Sequence, residues 1–572
     1  MFKKIIRPTA ALFIATAILS AQIACESPVS TEDGSANGST PGNSSSSMSS
    51  EKESSKSSSS VEEPMEEPDT DCEGEAGKPW NGSTAKKFAC GSGSEGNPYV
   101  IKTAEQLANL SYVIGASDEK YWGKHFKLDA DIILNKGELI DSAGMPVDST
   151  ADLLKWTPIG KSDEVPFTGY FDGNGHTVSG LFISTKGKYN GLFGYCNCTI
   201  KNLTIENSWI TGDDNSGAVA GAISGDAVLG DAVLENITVK VNVFSTYTNA
   251  GGIVGLAEGV SNGIKIKNVK SYGKIHSQKF SGGILGLGSN VEIKDAKNYA
   301  KVTGNHATAG IAGGTYIHAL TSNTENFGEI EGSSNVGGIV GIFGETGTLK
   351  ESRNSGKIKG YLAVGGIIGQ GKDMSVQSVA NRAEITGSSR TGGIVGDASN
   401  LKVEDVYNTG DIYCAVSAGG IIGMNWNGVT RNAYTTGKNK SIPANFKNVG
   451  LMIGVNESTT LADYYYIVQE VSDTTWSAIL DEVTDPVPKE TSDYGNIVAV
   501  DTVACCEDYP IIIQPAMNIE KWEIPAFGAS DGGIALPKTS EEMKSKDFVE
   551  LLGSEFVYDS KKNDGYPVLK WE

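Results

Sequence analysis

The sequence predicts an all-β solenoid: short strands wound into coils stacked along one axis, with short capping helices at both ends and a disordered tether in front. Three observations carry that expectation. The pentapeptide Gly-Gly-Ile-Val-Gly, or a near variant, starts at Asn190, Gly217, Gly251, Gly282, Ala309, Gly337, Gly365, Gly392, Gly419 and Gly450. The steps between copies are 27, 34, 31, 27, 28, 28, 27, 27 and 31 residues, so one small unit is stacked many times, longer steps marking insertions. Glycine, at 71 of 572 residues, is abundant without collagen's triplet period. Finally, segments between the glycine motifs align in one register, placing Val302, Ile330, Ile358, Ile385 and Ile412 at equivalent points.

From the N-terminus, residues 1–24 read as an export signal. Lys3, Lys4 and Arg7 precede an apolar run, Ala10 to Leu19, that is too short to span a bilayer. Ala21-Gln22-Ile23-Ala24 runs into Cys25, a junction resembling a bacterial lipobox, with Gln22 where Leu is usual. Cys25 is therefore the expected lipidation site and the membrane the expected partner; ordinary signal cleavage is the alternative. By the same resemblance Glu26 favours the outer membrane or cell surface. Residues 25–77 form a Ser/Glu-rich tether. Positions 26–77 hold 13 acids and two lysines and too little apolar surface to fold. A flexible chain of that length reaches about 40 Å. The whole chain carries −22, with no basic stripe to offset phosphate repulsion, which excludes nucleic acid as the expected partner.

Residues 78–189 are expected to hold the N-terminal cap and first coils. Cys72 and Cys90 flank the entry and are the candidate disulfide of an exported protein. Cys196-Asn-Cys198 and Cys505-Cys506 lack the paired spacing and nearby His of a zinc site. Thr103-Ala-Glu-Gln106 is a capping box, and Leu107, Leu110 and Ile114 then give one apolar helical face that would cover the first coil's open end. Apolar runs at 126–134, 167–171, 176–183 and 199–205 read as strands, with Asp172-Gly-Asn-Gly175 as a turn.

Residues 190–454 form the repeat. Its aliphatics should stack inward at about 4.8 Å per coil. Glycine there suits tight corners through positive φ, and close approach between coils. The aligned Asn298, Asn326, Asn354, Asn381 and Asn408 predict a ladder of side-chain amides. Lys274, Lys301, Glu329, Lys357, Glu384 and Asp411 form a column predicted to face solvent. Residues 455–572 are expected to hold a final coil strand at Tyr464–Tyr466 and a cap. That cap is led by a second capping box, Thr539-Ser-Glu-Glu542, with Phe548, Leu551 and Leu552 on one helical face.

Taken together, these residues resemble the GLUG motif of bacterial surface proteins. Asn97-Pro-Tyr99, Thr103–Leu107, Trp156-Thr-Pro-Ile-Gly160, Phe171–His176 and Gly191-Leu-Phe-Gly194 are similar to the stretch that precedes such motifs, and Asp564–Trp571 to a closing segment. The resemblance covers roughly 97–454 and implies a right-handed parallel β-helix on an exported protein, with no catalytic residues. Some immunoglobulin-cleaving metallopeptidases contain GLUG motifs but also need a His-Glu-x-x-His helix. None of His125, His176, His276, His306 and His318 has that context.

The expected function is a membrane-anchored, surface-exposed, non-catalytic protein that binds a polysaccharide or a cell-surface protein. No cofactor is expected. Candidate contacts are Tyr247, Tyr316, Trp426 and Tyr434, although packing at a strand end is the favoured reading of each. The alternative is a polysaccharide lyase or glycoside hydrolase, which needs converging carboxylates, Arg/Lys or calcium. Asp213-Asp214 and Asp226 with Asp231 are readable as a calcium site or as loop solvation, and whether any metal binds is left open.

Overall fold

A computed structural model describes residues 72–140, 152–225, 230–260, 263–440, 449–457 and 538–572, and the backbone alone of short strands between 464 and 537. All belong to one compact unit, Met65–Glu572; the other unit, Met1–Pro64, lies outside the described residues, as do Cys25, Asp226, Cys505 and Cys506.

The chain is a parallel β-solenoid of about a dozen turns. Each regular coil contributes three short strands, as in Leu320–Asn326, Ile330–Gly337 and Val340–Gly344. The third strand comes from the glycine motif and joins an eleven-stranded sheet, called here the motif sheet. The other two join a larger sheet in which equivalent residues pair coil to coil, for example Val302 with Ile330 and Ile358 with Ile385. Those aliphatics point inward and are buried, each burial contributing about 1.5–3 kcal/mol.

Two kinds of residue shape the coil. The corners are turned by non-glycine residues in the left-handed region, among them Asn202, Asn236, Asn268 and Asn323 in one column and Asn215, Asn249 and Asn335 in another. Short amide side chains tolerate that region and bond locally, which offsets its steric cost. The motif glycines are needed for a different reason. None of the paired ones has a positive φ; a Cβ on Gly366 would sit 2.0 Å from the Gly393 carbonyl oxygen of the next coil. The expectation that these glycines turn corners by positive φ is thus corrected, and close approach is their role.

The asparagine ladder is complete. Asn298 donates to Asn326, Asn326 to Asn354, Asn354 to Asn381 and Asn381 to Asn408, each at 2.8 Å. Every amide also closes onto the backbone two residues on, as Asn354 does with the carbonyl (2.9 Å) and N–H (3.2 Å) of Gly356. Polar groups that a buried corner would strand are paired in this way.

At the N-terminal end, Ala104–Gly115 forms the expected helix, with both capping-box bonds present and Leu107, Leu110 and Ile114 in the core. The exposed edge of the first strand, Tyr99–Ile101, is closed by another segment. Val100 exchanges backbone bonds with Ala89 and Cys90, and Cys90 is disulfide-bonded to Cys72. Residues 72–77, expected in the tether, are therefore part of this closure, with Glu73 also bonded to Ala89.

At the other end, Tyr464–Ile467 stacks on the preceding coil, and a further coil follows at Phe527–Ser530 and Ala535–Lys538. Thr539 caps a single turn, Ser540–Met543, and Ser545 starts a second helix, Lys546–Leu552. The single expected helix is thus two. Phe548 and Leu552 are buried, whereas Leu551 is 52% exposed and does not share their face.

Candidate functional site

Because motif strands alternate, the residue after each closing glycine points out of the coil. That position holds half-buried Tyr195, Leu256, Leu287, Ile342 and Met424 in one column of the motif sheet, interrupted by Ala222, Gly314, Gln370 and Asp397. The next outward column includes Glu258, Ser289, Tyr316, Ser399 and Trp426. Two aromatic rings lie along the same sheet where the following coil has no side chain. A Cβ on Gly314 would come 2.8 Å from the Phe280 ring, and one on Gly344 would come 3.1 Å from the Tyr316 ring. The outcome is an apolar, partly aromatic strip from Leu256 to Ile342, broken by the polar coils of Gln370 and Asp397 before Met424 and Trp426.

Its N-terminal end is polar. Lys188 Nζ lies 4.9 Å from the Tyr189 ring centre, and Tyr189 meets Tyr195 edge-on at 5.1 Å. Burial pushes the Tyr195 hydroxyl up to about 12, partly opposed by its hydrogen bond with Ser224. Burial likewise raises Glu258, with Lys188 pulling the other way. Tyr316 is also pushed up to about 12 by burial. Hydroxyl donors, one ammonium and one carboxyl that protonates readily suit hydrogen bonding to a hydroxyl-rich ligand.

The candidate contacts fall in different places. Tyr316 and Trp426 (37% exposed) share the second outward column of the strip. Tyr247 is 54% exposed on a bulge between Ser245 and Thr248 of the other sheet. Tyr434 is not a surface contact. It is fully buried, stacked on Tyr407 at 5.1 Å, with its hydroxyl bonded to the Pro567 carbonyl and to Asn563. The C-terminal segment folds back over that tyrosine pair. There Glu572, its side chain almost wholly buried, contacts Arg382 at 2.8 Å, Arg353 at 3.3 Å and the Tyr407 hydroxyl at 2.7 Å.

Among the described residues no group of three or more His, Cys, Asp and Glu side chains could hold a metal ion. Asp214 accepts from Thr248 at 2.9 Å and Asp231 pairs with Lys265, so neither converges on a shared point. Cys196 and Cys198 are bonded to each other, and Cys414 is free but buried. The residues missed at first, Tyr195, Leu256, Leu287 and Ile342, carried a usable signal, since each directly follows the last glycine of a motif copy.

No protein-family model matches the chain. Over 157 residues it is 34% identical to a protein of Evansella cellulosilytica named "Putative Gly-rich membrane protein", covering 27% of this chain and 16% of that one. Over 183 residues it is 30% identical to halomucin of Haloquadratum walsbyi, covering 31% of this chain and 2% of that one. The matched region thus spans only a small part of either relative. A crystal structure from Bacteroides ovatus, described as a "putative immunoglobulin A1 protease", aligns over 85% of this chain and 96% of its own. The identity is 16% and the TM-score 0.35. Among the described residues no helix is long and apolar enough to cross a membrane.

Proposed function

We propose that the chain is an exported, lipid-anchored binding protein whose solenoid presents the outer face of its motif sheet to a polysaccharide or a cell-surface protein. The observation that carries this reading is the half-exposed set of Leu256, Leu287, Tyr316 and Ile342 on four successive coils of one sheet, with Met424 and Trp426 in the same columns beyond two polar coils that hold Gln370, Lys372, Asp397 and Ser399. A solenoid keeps its outward side chains polar unless something covers them, and aligned apolar groups provide an extended contact. Anchoring rests on Cys25 and its preceding segment, supported by the membrane-protein name of one relative.

A glycan array run beside a reducing-sugar assay tests it. Retention of a polysaccharide without product, weakened at least fivefold by Tyr316→Ser with Trp426→Ser, supports binding at this strip. Undiminished retention by the double variant sinks the site, and released product sinks the non-catalytic reading. Metabolic labelling with a radioactive fatty acid, lost in Cys25→Ala, checks the anchor.

A further inference from the structure

We propose that the two coils spanning residues 263–303 form a second binding site, for an anionic polysaccharide bearing carboxylate or sulfate groups. In a chain of net charge −22 this stretch holds eight lysines and only two acids, Glu292 and Asp295. The register makes the excess pointed. Lys267 pairs with Lys294, Lys270 with Lys297 and Lys274 with Lys301 across adjacent coils.

Like charges directly opposite each other destabilise a sheet. Elsewhere opposite charges mostly face each other, Glu384 beside Asp411 being an exception. Lys357 meets Glu384 at 3.3 Å, Lys359 meets Glu331 at 3.4 Å, and Arg353 pairs with Glu325. Three lysine-on-lysine pairs in one place therefore depart from the prevailing pattern. An incoming polyanion would relieve that repulsion, which is a physical reason for the arrangement.

Neighbouring acids occupy part of the patch. Lys297 contacts Glu325 at 2.6 Å, Lys301 contacts Glu329 at 3.2 Å, and Lys267 contacts Glu292 at 3.7 Å. Lys270, Lys279 and Lys294 are exposed, with no carboxylate among the described residues in ion-pair contact.

An aromatic ladder runs between the columns of Lys270 and Lys274. Tyr272 stacks on Tyr299 at 4.7 Å, and Tyr299 on Phe327 at 4.9 Å, with ring planes within 7° of parallel. Tyr299 and Phe327 remain 39% and 38% exposed. Because the rings cover one another's faces, they cannot serve as flat platforms for sugar rings. They present their edges, which carry the positive end of the ring quadrupole and suit an anion. Tyrosine hydroxyls add hydrogen-bond donors.

Along one coil at most about 10 and 13 Å separate Lys267, Lys270 and Lys274, because Asn268 and Gly273 at positive φ bend the chain between them, and each lysine is doubled about 4.8 Å away on the next coil. That spacing fits a sparsely charged polymer lying across the rod. DNA, with one charge per roughly 1.7 Å, would meet far stronger repulsion from the acidic remainder.

The test is retention of the full chain on immobilised polygalacturonate, dextran sulfate, neutral dextran and double-stranded DNA. Binding to the first two, none to dextran, and affinity falling with salt is the expected pattern. Lys270→Gln with Lys294→Gln should weaken it at least tenfold, while Lys161→Gln with Lys186→Gln, two exposed lysines elsewhere, should leave it within twofold. The first pair removes repulsion, so its melting temperature should hold or rise, and misfolding cannot imitate the result. Equal loss in both pairs, no loss in the first, or DNA bound as tightly as polygalacturonate would each overturn the proposal. Retention of a polysaccharide through the motif sheet is read separately, by the Tyr316 and Trp426 variants.

Discussion

Replacing Asn354 by alanine removes one rung of the buried ladder, and its effect can be worked out from the bonds involved. Asn354 donates to the Gly356 carbonyl and to Asn381, and accepts from Gly356 N–H and from Asn326. The two neighbouring amides keep their own backbone partners, but both polar groups of the buried Gly356 are left unpaired. At roughly 1–3 kcal/mol for each stranded group, the loss should be about 3–5 kcal/mol. Nearest-neighbour coupling in a solenoid confines most of it to the adjoining coils. Hydrogen exchange should show amide protection across residues 326–381 falling by about two to three orders of magnitude, with distant coils little changed. Ser355→Ala, at the exposed neighbouring position, should stay within about 0.5 kcal/mol of wild type. If Asn354→Ala lost less than about 1 kcal/mol, the claim that the ladder satisfies an otherwise orphaned corner would be wrong.

Gly366→Ala should cost at least about 3 kcal/mol or prevent folding, because its Cβ would meet the Gly393 carbonyl oxygen and Asn381 rather than a movable side chain; urea unfolding reads this directly. Glu572→Gln leaves Arg382 without its buried counter-charge, Arg353 keeping only Glu325, and should loosen the folded-back segment by about 3 kcal/mol, seen as a red shift of Trp571 emission and faster proteolysis near 539–545. Burial alone would raise Glu325, but Lys297 and Arg353 outweigh it and hold the group below its ordinary 4.5. With a depressed folded value, its contribution is present above pH 4.5 and lost as pH falls through the folded pKa. Denaturation curves of Glu325→Gln should therefore lose slope only at acid pH, and an unchanged slope there would contradict the pairing.

Much of the architecture was legible because a stacked fold writes its register into the period. Val302, Ile330 and Ile358 align by eye, and the structure places them in one inward column. The asparagines were equally readable, since a buried corner needs the same amide at every turn. Corner geometry was not: positive φ belongs to Asn and its neighbours, and no period distinguishes a glycine that bends from one that makes room. Tyr434 misled for a related reason. Its column continues that of Lys297 and Arg353, which points outward, and only the folded-back segment, distant in sequence, covers it. The two proposed faces were missed because outward positions carry no core constraint; Lys274 and Lys301 already aligned in sequence, but only the coil-to-coil register adds Lys267 on Lys294 and Lys270 on Lys297.

The return of Glu572 to Arg353 and Arg382 also divides the rod into two evolutionary regimes. Upstream, one turn added or removed by duplication meets identical neighbours above and below, so the molecule's reach is free to drift. Between Arg353 and Tyr434 the same event would carry the carboxylate past its guanidinium partners by a full turn. Length variation among descendants of this chain should accumulate on the N-terminal side of that clasp.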